Sequence, residues 1–318
     1  FQAGRDPARI VRSCNGSYEV MSFTRGIDYH RLAYRRFGLG AQDAGDDDDP
    51  IWELRLNVLT DQFAPMAESV PIPGIDGAFL ASGVLSEFEC DLLVRLAEEL
   101  GFTSGEDVVD VPIEVRDNDV CVLLASQPMV AELCRRLQHL VPHLGAQGAT
   151  LCKPEFINAR FRVYRYRSVE EGLDVRVPQS FGPHYDGAQP PSGVTDGRLV
   201  DDVSKGTSRS QMSVLLYLSG GHSGGETVFY PSGVAEETSA GTVRVTPAKG
   251  AALCFWHGNH PLSPLHEGAA LQGNRVAAKY VIRTDVVYDE QATPMLNSEW
   301  SSSSTVLAMQ RAVAVMGV

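Results

Sequence analysis

Hydrophobic residues in the first half of the chain recur at helical spacing. The first such pattern has an apolar residue at every fourth position, at Phe88, Leu92, Leu96 and Leu100. Ser86 and Glu89 have the spacing of a capping box at its start, and Gly101 can end it. A second pattern begins at Ser126, ends at Pro142 and has an apolar side formed by Leu133, Leu137 and Leu140. We expect both helices to buttress one face of a sheet.

After residue 150 the pattern changes to short apolar runs separated by Gly, Pro and Ser. The runs cover residues 160–167, 213–218, 227–230, 242–246, 251–256 and 279–288. Short runs with turn signals between them predict a β-sandwich or a barrel. Residues 187–210 are polar and contain Gly and Pro. We interpret them as a long loop, with a lid and simple disorder as the two alternatives.

These patterns divide the chain of 318 residues into three parts. Residues 1–75 lack periodicity, contain an acidic run of four Asp and are expected to form an N-terminal extension. Residues 76–290 are expected to form one domain, with helical support over 76–150 and β structure over 151–290. Residues 291–318 are expected to form a tail with one helix.

Composition is typical of a globular protein and argues against two kinds of partner, nucleic acids and membranes. Hydrophobic residues make up 43% of the chain and charged residues 21%. The formal net charge of −13 argues against a nucleic-acid surface, and no apolar run reaches the length of a membrane helix. Six scattered cysteines without a Cys-x-x-Cys pattern are expected to be buried thiols. The oligomeric state and the compartment stay open, including whether a targeting segment once preceded Phe1.

The strongest chemical pattern is His184-Tyr-Asp186 followed eighty residues later by His266. Residues two apart in a strand share a face, so His184 and Asp186 can reach one ion. Two imidazoles and one carboxylate form the facial triad of non-haem Fe(II) oxygenases, which leaves other coordination positions open. His257 and His260 lie close to His266 in sequence and are the alternatives for the second histidine ligand.

Six segments that occur in order extend this pattern to a family resemblance. They are RFRVYRY (160–166), FGPHYD (181–186), VLLYL (214–218), GGETVF (224–229), HPLSPLHEG (260–268) and KYVIRTD (279–285). Together they resemble the prolyl 4-hydroxylase-like branch of the Fe(II)/2-oxoglutarate dioxygenases, over about residues 76–290. The resemblance implies a fold of class α+β, mainly β, with a double-stranded β-helix (jelly-roll) core buttressed by helices. Its mouth would hold Fe(II) and 2-oxoglutarate.

The resemblance also implies a cation for the distal carboxylate of 2-oxoglutarate. Lys279 begins the motif in which close relatives carry their co-substrate lysine. Arg275 lies nine residues after His266, close to the spacing in the wider superfamily, and is the alternative. Tyr166 and Tyr217 resemble positions whose phenols help to hold the co-substrate, with core packing as the alternative for each.

The activity implied by the resemblance is hydroxylation of an unactivated C–H bond with O2 and 2-oxoglutarate, and ascorbate is kept as an optional reductant. Asp186 favours hydroxylation, because halogenating relatives have Gly or Ala at that position. Three functions stay open. We favour a hydroxylase of a prolyl or other residue in a peptide or protein. The alternatives are the same chemistry on a free amino acid or other small molecule, and a non-enzymatic jelly-roll module that binds a metal.

Overall fold

The computed structural model describes ten segments of the chain, and the account below concerns those segments. They are residues 10–12, 18–20, 23–32, 51–59, 66–104, 115–142, 157–168, 178–235, 241–272 and 278–289. The predictions for the acidic run, for Arg275, for Cys14 and Cys152 and for the C-terminal helix lie outside these segments.

Both predicted helices are present. α1 spans Glu87–Leu100 and has the predicted capping box: the Ser86 hydroxyl accepts from the Glu89 amide at 3.2 Å, and the Glu89 carboxylate accepts from the Ser86 amide at 2.9 Å. Gly101 follows with φ of 89°, a value that favours glycine. α2 spans Gln127–Leu137, so it ends earlier than the predicted stop at Pro142, and a turn occupies the residues between.

A buried ion pair joins the two helices. The Arg136 guanidinium lies 2.7 Å from the Glu89 carboxylate, and both side chains are almost fully removed from solvent. Neither helix has the length and apolar character that a bilayer crossing requires. Four described cysteines, Cys90, Cys121, Cys134 and Cys254, are buried free thiols, as predicted.

The rest of the described chain is mainly β structure. Its strands are β1 (Ile10–Arg12), β2 (Tyr18–Val20), β3 (Tyr29–Arg31), β4 (Ile51–Leu54), β5 (Glu68–Pro71), β6 (Phe79–Ser82), β7 (Thr103–Ser104), β8 (Arg116–Asp117), β9 (Asp119–Leu124), β10 (Arg160–Arg167), β11 (Ser180–His184), β12 (Gly193–Thr195), β13 (Arg198–Val200), β14 (Ser208–Tyr217), β15 (Thr227–Tyr230), β16 (Val243–Val245), β17 (Ala252–Trp256), β18 (Leu265–Gly268) and β19 (Ala278–Asp289).

Two sheets pack against each other to form the jelly-roll core. The large sheet has ten strands in the order β3-β4-β9-β10-β19-β14-β17-β6-β5, with β7 beside β9, and the small sheet has the order β16-β15-β18-β11-β8. Alternate residues of β10 point to opposite faces. Phe161 and Val163 pack with the helices, whereas Tyr164 and Tyr166 pack with Phe229 of the small sheet. The mainly β, helix-buttressed fold is therefore confirmed.

The large sheet crosses the segment boundaries that the sequence predicts at residues 75 and 150. Strands β3, β4 and β5 from the N-terminal 75 residues extend this sheet, and β6 and β9 from the helical segment lie within it. β4 runs parallel to β9 and has three of its four residues buried, so it lacks the polar alternation that marks a strand in sequence. β3, β4 and β5 therefore belong to the same sheet as the strands of the predicted domain.

The polar segment 187–210 is more regular than a plain loop. It contains the β12–β13 hairpin, and its last residues begin β14. The Asn158 amide donates to the Pro190 carbonyl at 2.9 Å, and the Asn158 side-chain oxygen accepts from the Ser192 amide at 3.1 Å. The alternative of simple disorder for this segment is therefore wrong.

Candidate metal centre

The three predicted metal ligands come together at one end of the small sheet. His184 ends β11 and His266 lies on the neighbouring β18, directly opposite it in the register. Asp186 follows two residues after His184. A ligand atom from each of the three lies within 4.8 Å of the others. Asp186 and His266 are buried, with exposed fractions of 5% and 4%.

The hydrogen bonds of the two imidazoles show which nitrogen faces the centre. Nδ1 of His184 lies 2.8 Å from the Gly182 carbonyl, and Nδ1 of His266 lies 3.2 Å from the Pro264 carbonyl. A carbonyl oxygen only accepts, so each Nδ1 carries the proton and each Nε2 keeps its lone pair.

The two Nε2 lone pairs point at the carboxylate between them. Nε2 of His184 is 3.6 Å from Asp186 Oδ1, and Nε2 of His266 is 3.6 Å from Asp186 Oδ2. Acceptors that face one another in a buried place repel unless a cation lies between them. These residues therefore fit a divalent metal bound by two neutral imidazoles and one carboxylate.

The protonation states of the site suit metal binding. Burial by itself raises the pKa of Asp186, but the Arg283 guanidinium and the two imidazoles lower that pKa well below its usual range. Burial, together with the His184 imidazole, lowers the pKa of His266 to about 3. At neutral pH the carboxylate is ionised and His266 is neutral, which are the forms that ligate a metal.

Two residues that the sequence did not indicate contact the Asp186 carboxylate. The Ser213 hydroxyl donates to Asp186 Oδ2 at 2.6 Å, and Nε of Arg283 lies 3.3 Å from the same oxygen. Arg283 lies four residues after Lys279 on β19, so strand parity alone was a signal that it faces inward. Ser213 had no comparable signal, because its contact with Asp186 depends on how the two sheets pack against each other.

The two alternative histidines lie outside the group of ligands. His257 is fully buried and contacts Ser213 and Ser210 rather than the centre of the triad. His260 stacks on the Trp256 ring with 4.0 Å between the ring centroids. A further ring contact involves a member of the triad: the Phe181 ring stacks on the His184 imidazole with 3.6 Å between the ring centroids. This contact restrains the orientation of the His184 ring.

The triad opens into a pocket that also contains a buried cation. Lys279 on β19 lines this pocket, its exposed fraction is 2%, and its Nζ lies 4.9 Å from the Tyr166 ring centroid. The Glu226 carboxylate acts on this ammonium electrostatically, but among the described residues no carboxylate lies at ion-pair distance from Nζ. Burial lowers the pKa of Lys279 to about 8. An unpaired buried ammonium in a pocket wall is the partner that an anionic ligand needs.

The two predicted tyrosines differ in how they relate to this pocket. Tyr166 lines it and lies opposite Lys279 in the β10–β19 register. A β-carbon at Gly268 would lie 3.3 Å from the Tyr166 hydroxyl, so glycine leaves that phenol room. Tyr217 is fully buried, and its hydroxyl lies 2.8 Å from that of Thr227, which does line the pocket. Tyr217 therefore reaches the pocket only through Thr227.

Comparison with known proteins matches one segment of the chain to a family. Residues 172–283 match the family model described as the 2OG-Fe(II) oxygenase superfamily, and this stretch contains the triad and Lys279. This segment is therefore similar to the 2OG-Fe(II) oxygenase superfamily, in agreement with the resemblance found in the sequence. None of the curated proteins matches the chain.

Solved structures that match this chain do so at low identity and with TM-scores below 0.5. The viral collagen prolyl hydroxylase of Paramecium Bursaria Chlorella virus-1, in its 2-oxoglutarate complex, is 18% identical, with 68% of this chain and 98% of that chain covered and a TM-score of 0.41. A Pseudomonas putida prolyl-4-hydroxylase is 14% identical, with 66% and 92% covered and a TM-score of 0.38. HygX from Streptomyces hygroscopicus, with nickel, 2-oxoglutarate and hygromycin B bound, is 14% identical, with 71% and 86% covered and a TM-score of 0.39.

Proposed function

We propose that this chain is an Fe(II)- and 2-oxoglutarate-dependent dioxygenase that hydroxylates an unactivated C–H bond, with His184, Asp186 and His266 as the iron ligands. The observation that supports this most directly is the arrangement of three acceptors. Two imidazole lone pairs face one carboxylate at 3.6 Å, with both Nδ1 atoms held by carbonyls. A divalent cation at the centre would satisfy all three groups.

The chemistry that bound iron and 2-oxoglutarate supply is oxidation of a C–H bond by O2, with 2-oxoglutarate converted to succinate and CO2. The atoms balance, because one oxygen atom enters the alcohol and the other enters succinate. The residues of the chain would bind the metal and the co-substrate and orient them. His184 and His266 present fixed lone pairs, Asp186 supplies the negative charge, and the buried walls keep bulk water away from the reacting atoms.

We assign Lys279 to the distal carboxylate of 2-oxoglutarate. Its ammonium is buried in the wall of the pocket that contains the triad, and no described carboxylate pairs with it. Tyr166, opposite Lys279 in the register, is the phenol we assign to the same ligand. Arg275 remains the alternative cation. We assign no direct contact with 2-oxoglutarate to Tyr217, because the Thr227 side chain lies between the Tyr217 hydroxyl and the pocket.

For the substrate we propose a prolyl or other residue in a peptide or protein. The support is the ordered set of motifs that resemble the prolyl 4-hydroxylase-like branch. The same machinery acting on a free amino acid or other small molecule is the second candidate. A metal-binding module without catalysis is the third candidate, and the buried unpaired lysine argues against it because simple metal storage does not need that cation.

Two assays separate these candidates. The first measures succinate formed from 2-oxoglutarate by the iron-loaded protein under air, with and without ascorbate. The second compares proline-containing peptides with free proline as the hydroxylated product, by mass spectrometry. Peptide hydroxylation with no product from free proline supports the proposed substrate class. Product from free proline alone favours the small-molecule candidate. If no succinate forms with any substrate, the metal-binding module without catalysis becomes the favoured function.

A further inference from the structure

A line of buried hydrogen bonds runs from the metal carboxylate to the polar segment 187–210. Asp186 Oδ2 lies 2.6 Å from Ser213 Oγ, and Ser213 Oγ lies 2.7 Å from His257 Nδ1. On the other side of the ring, His257 Nε2 lies 2.8 Å from Ser210 Oγ. Ser210 Oγ in turn accepts from the Gln189 backbone amide at 2.8 Å. His257, Ser210 and Ser213 have exposed fractions of 0%.

Only one arrangement of protons satisfies every member of this line when His257 is neutral. An ionised carboxylate only accepts, so the Ser213 hydroxyl donates to Asp186. Ser213 then has only lone pairs for His257, which places a proton on Nδ1 of the imidazole. Nε2 is therefore the acceptor, and it takes the hydroxyl proton of Ser210. The oxygen of Ser210 is left to accept from the amide of Gln189.

The backbone ties the same elements together. The Gly258 amide donates to the Asp186 carbonyl at 2.8 Å, and the His257 amide donates to the Gln211 carbonyl at 2.8 Å. The Ser210 amide donates to the Gln189 carbonyl at 2.8 Å, so both ends of the 187–210 segment meet at this point. Asp285 Oδ1 lies 3.7 Å from His257 Nδ1, beyond hydrogen-bond distance.

We propose that His257 is a positioning residue that couples the 187–210 segment to the metal carboxylate by fixing the direction of the Ser213 hydroxyl. Held by Ser213, Asp186 Oδ2 keeps its orientation, and the carboxylate presents a defined face to the metal. On its other side, the ring holds Ser210 and with it the amide of Gln189. With His257 in place, a displacement of Gln189 or Ser210 therefore alters metal affinity, and metal binding alters the exchange of the Gln189 amide, by the same free energy.

This inference rests on the proposed function, because it takes Asp186 to be a metal ligand. Hydrogen-bond partners of metal ligands typically change metal affinity about 10- to 100-fold when they are removed. If His257 only filled space, substitutions that keep the position of Nδ1 and substitutions that keep the position of Nε2 would have the same effect. The two sides of the His257 ring can be separated by substitution, and this separation tests the coupling.

The experiment uses His257→Asn and His257→Gln in the full chain. The Asn amide can take the place of Nδ1 and still donate to Ser213, but it does not reach Ser210. The Gln amide reaches the place of Nε2 and still accepts from Ser210, but it leaves Ser213 without its donor. Two quantities are measured on each variant: Mn(II) affinity by calorimetry, and hydrogen–deuterium exchange of the peptide that contains Gln189.

We expect the two variants to fail in opposite ways. His257→Gln should lose about 10- to 100-fold in Mn(II) affinity and keep slow exchange at Gln189. His257→Asn should keep wild-type affinity and lose the slow exchange. Equal defects in both variants, or wild-type values in both, would overturn the coupling. Wild-type protein that binds no Mn(II) would instead overturn the proposed function.

Ser213→Ala provides the test if the ring variants do not fold. It removes one oxygen atom, so it should show the affinity loss of His257→Gln, and an unchanged affinity would overturn the proposal as well. The matched control is Ser219→Ala, just beyond β14. The Ser219 hydroxyl accepts from the Tyr280 amide at 2.8 Å and has no part in the line of hydrogen bonds. This control should leave both quantities at the wild-type value.

Discussion

Replacing Lys279 by Met removes the one cation that we assign to the distal carboxylate of 2-oxoglutarate. Lys279 has an exposed fraction of 2%, so the carboxylate that binds it is also removed from water. Truncating one partner of a buried charge pair costs about 2–5 kcal/mol. At about 1.4 kcal/mol for each factor of ten, the dissociation constant of 2-oxoglutarate should rise roughly 30-fold to several-thousand-fold.

The assay is an anaerobic calorimetric titration of 2-oxoglutarate into metal-loaded protein. Met is similar in length to Lys and carries no charge to bury, so the free energy of unfolding without co-substrate should not fall. Lys249→Met is the matched control, because Lys249 pairs with Asp91 at the surface at 2.6 Å. Wild-type affinity in Lys279→Met, together with a large loss in Arg275→Ala, would refute the assignment and make Arg275 the binder.

The pH dependence gives an independent check on Lys279. Burial lowers its pKa to about 8, whereas the unfolded chain has the ordinary value of 10.5. Between these values Lys279 binds more protons in the unfolded chain than in the folded one, so its own contribution to the stability without co-substrate, taken as the difference between the wild-type protein and Lys279→Met, rises with pH. Affinity for 2-oxoglutarate should fall over the same range, because the lysine is then neutral in the free protein. Both trends should disappear in Lys279→Met.

Three further outcomes are expected. His184→Ala and His266→Ala should each abolish turnover and weaken Mn(II) binding while circular dichroism stays unchanged; full activity in either variant would remove that residue from the ligand set. Arg136→Met should lower the free energy of unfolding by about 3–5 kcal/mol, because it leaves the fully buried Glu89 carboxylate without its guanidinium. In urea titrations, a loss below about 1 kcal/mol would show that pair to behave like a surface ion pair. Replacing residues 194–199 by a short turn, which keeps both Gln189 and Ser210, should leave metal affinity unchanged and uncouple succinate formation from hydroxylation, and unchanged coupling would show that the hairpin has no part in substrate binding.

The sequence predicted the features that depend on short-range order. The capping box of α1 and the spacing of its leucines act within one helix, so both could be recognised before the fold was known. The prediction for His184 and Asp186 also used short-range order, because residues two apart in an extended chain share a face, although β11 itself ends at His184. His266 could be chosen over His257 and His260 only through its motif, since periodicity does not distinguish the three.

The features that the sequence did not predict depend on long-range pairing. β4 lies inside the large sheet, and with three of its four residues buried it has no alternation to detect. Ser213 and His257 are 44 residues apart, and their hydrogen bond depends on the register of β14 and β17. Ser213 and Asp186 are 27 residues apart, and their hydrogen bond depends on how β14 of the large sheet lies against the end of β11 in the small sheet. A serine and a histidine at such separations carry no local signal.

The central claim is that the triad and the pocket carry out iron- and 2-oxoglutarate-dependent oxidation. A single-turnover experiment tests it most directly: protein is loaded anaerobically with Fe(II), 2-oxoglutarate and a proline-containing peptide, then exposed to O2, and succinate is measured against bound iron. The account predicts succinate in proportion to bound iron in the wild-type protein and none in His184→Ala or His266→Ala. Iron binding without succinate in the wild-type protein, or equal succinate in the variants, would contradict it.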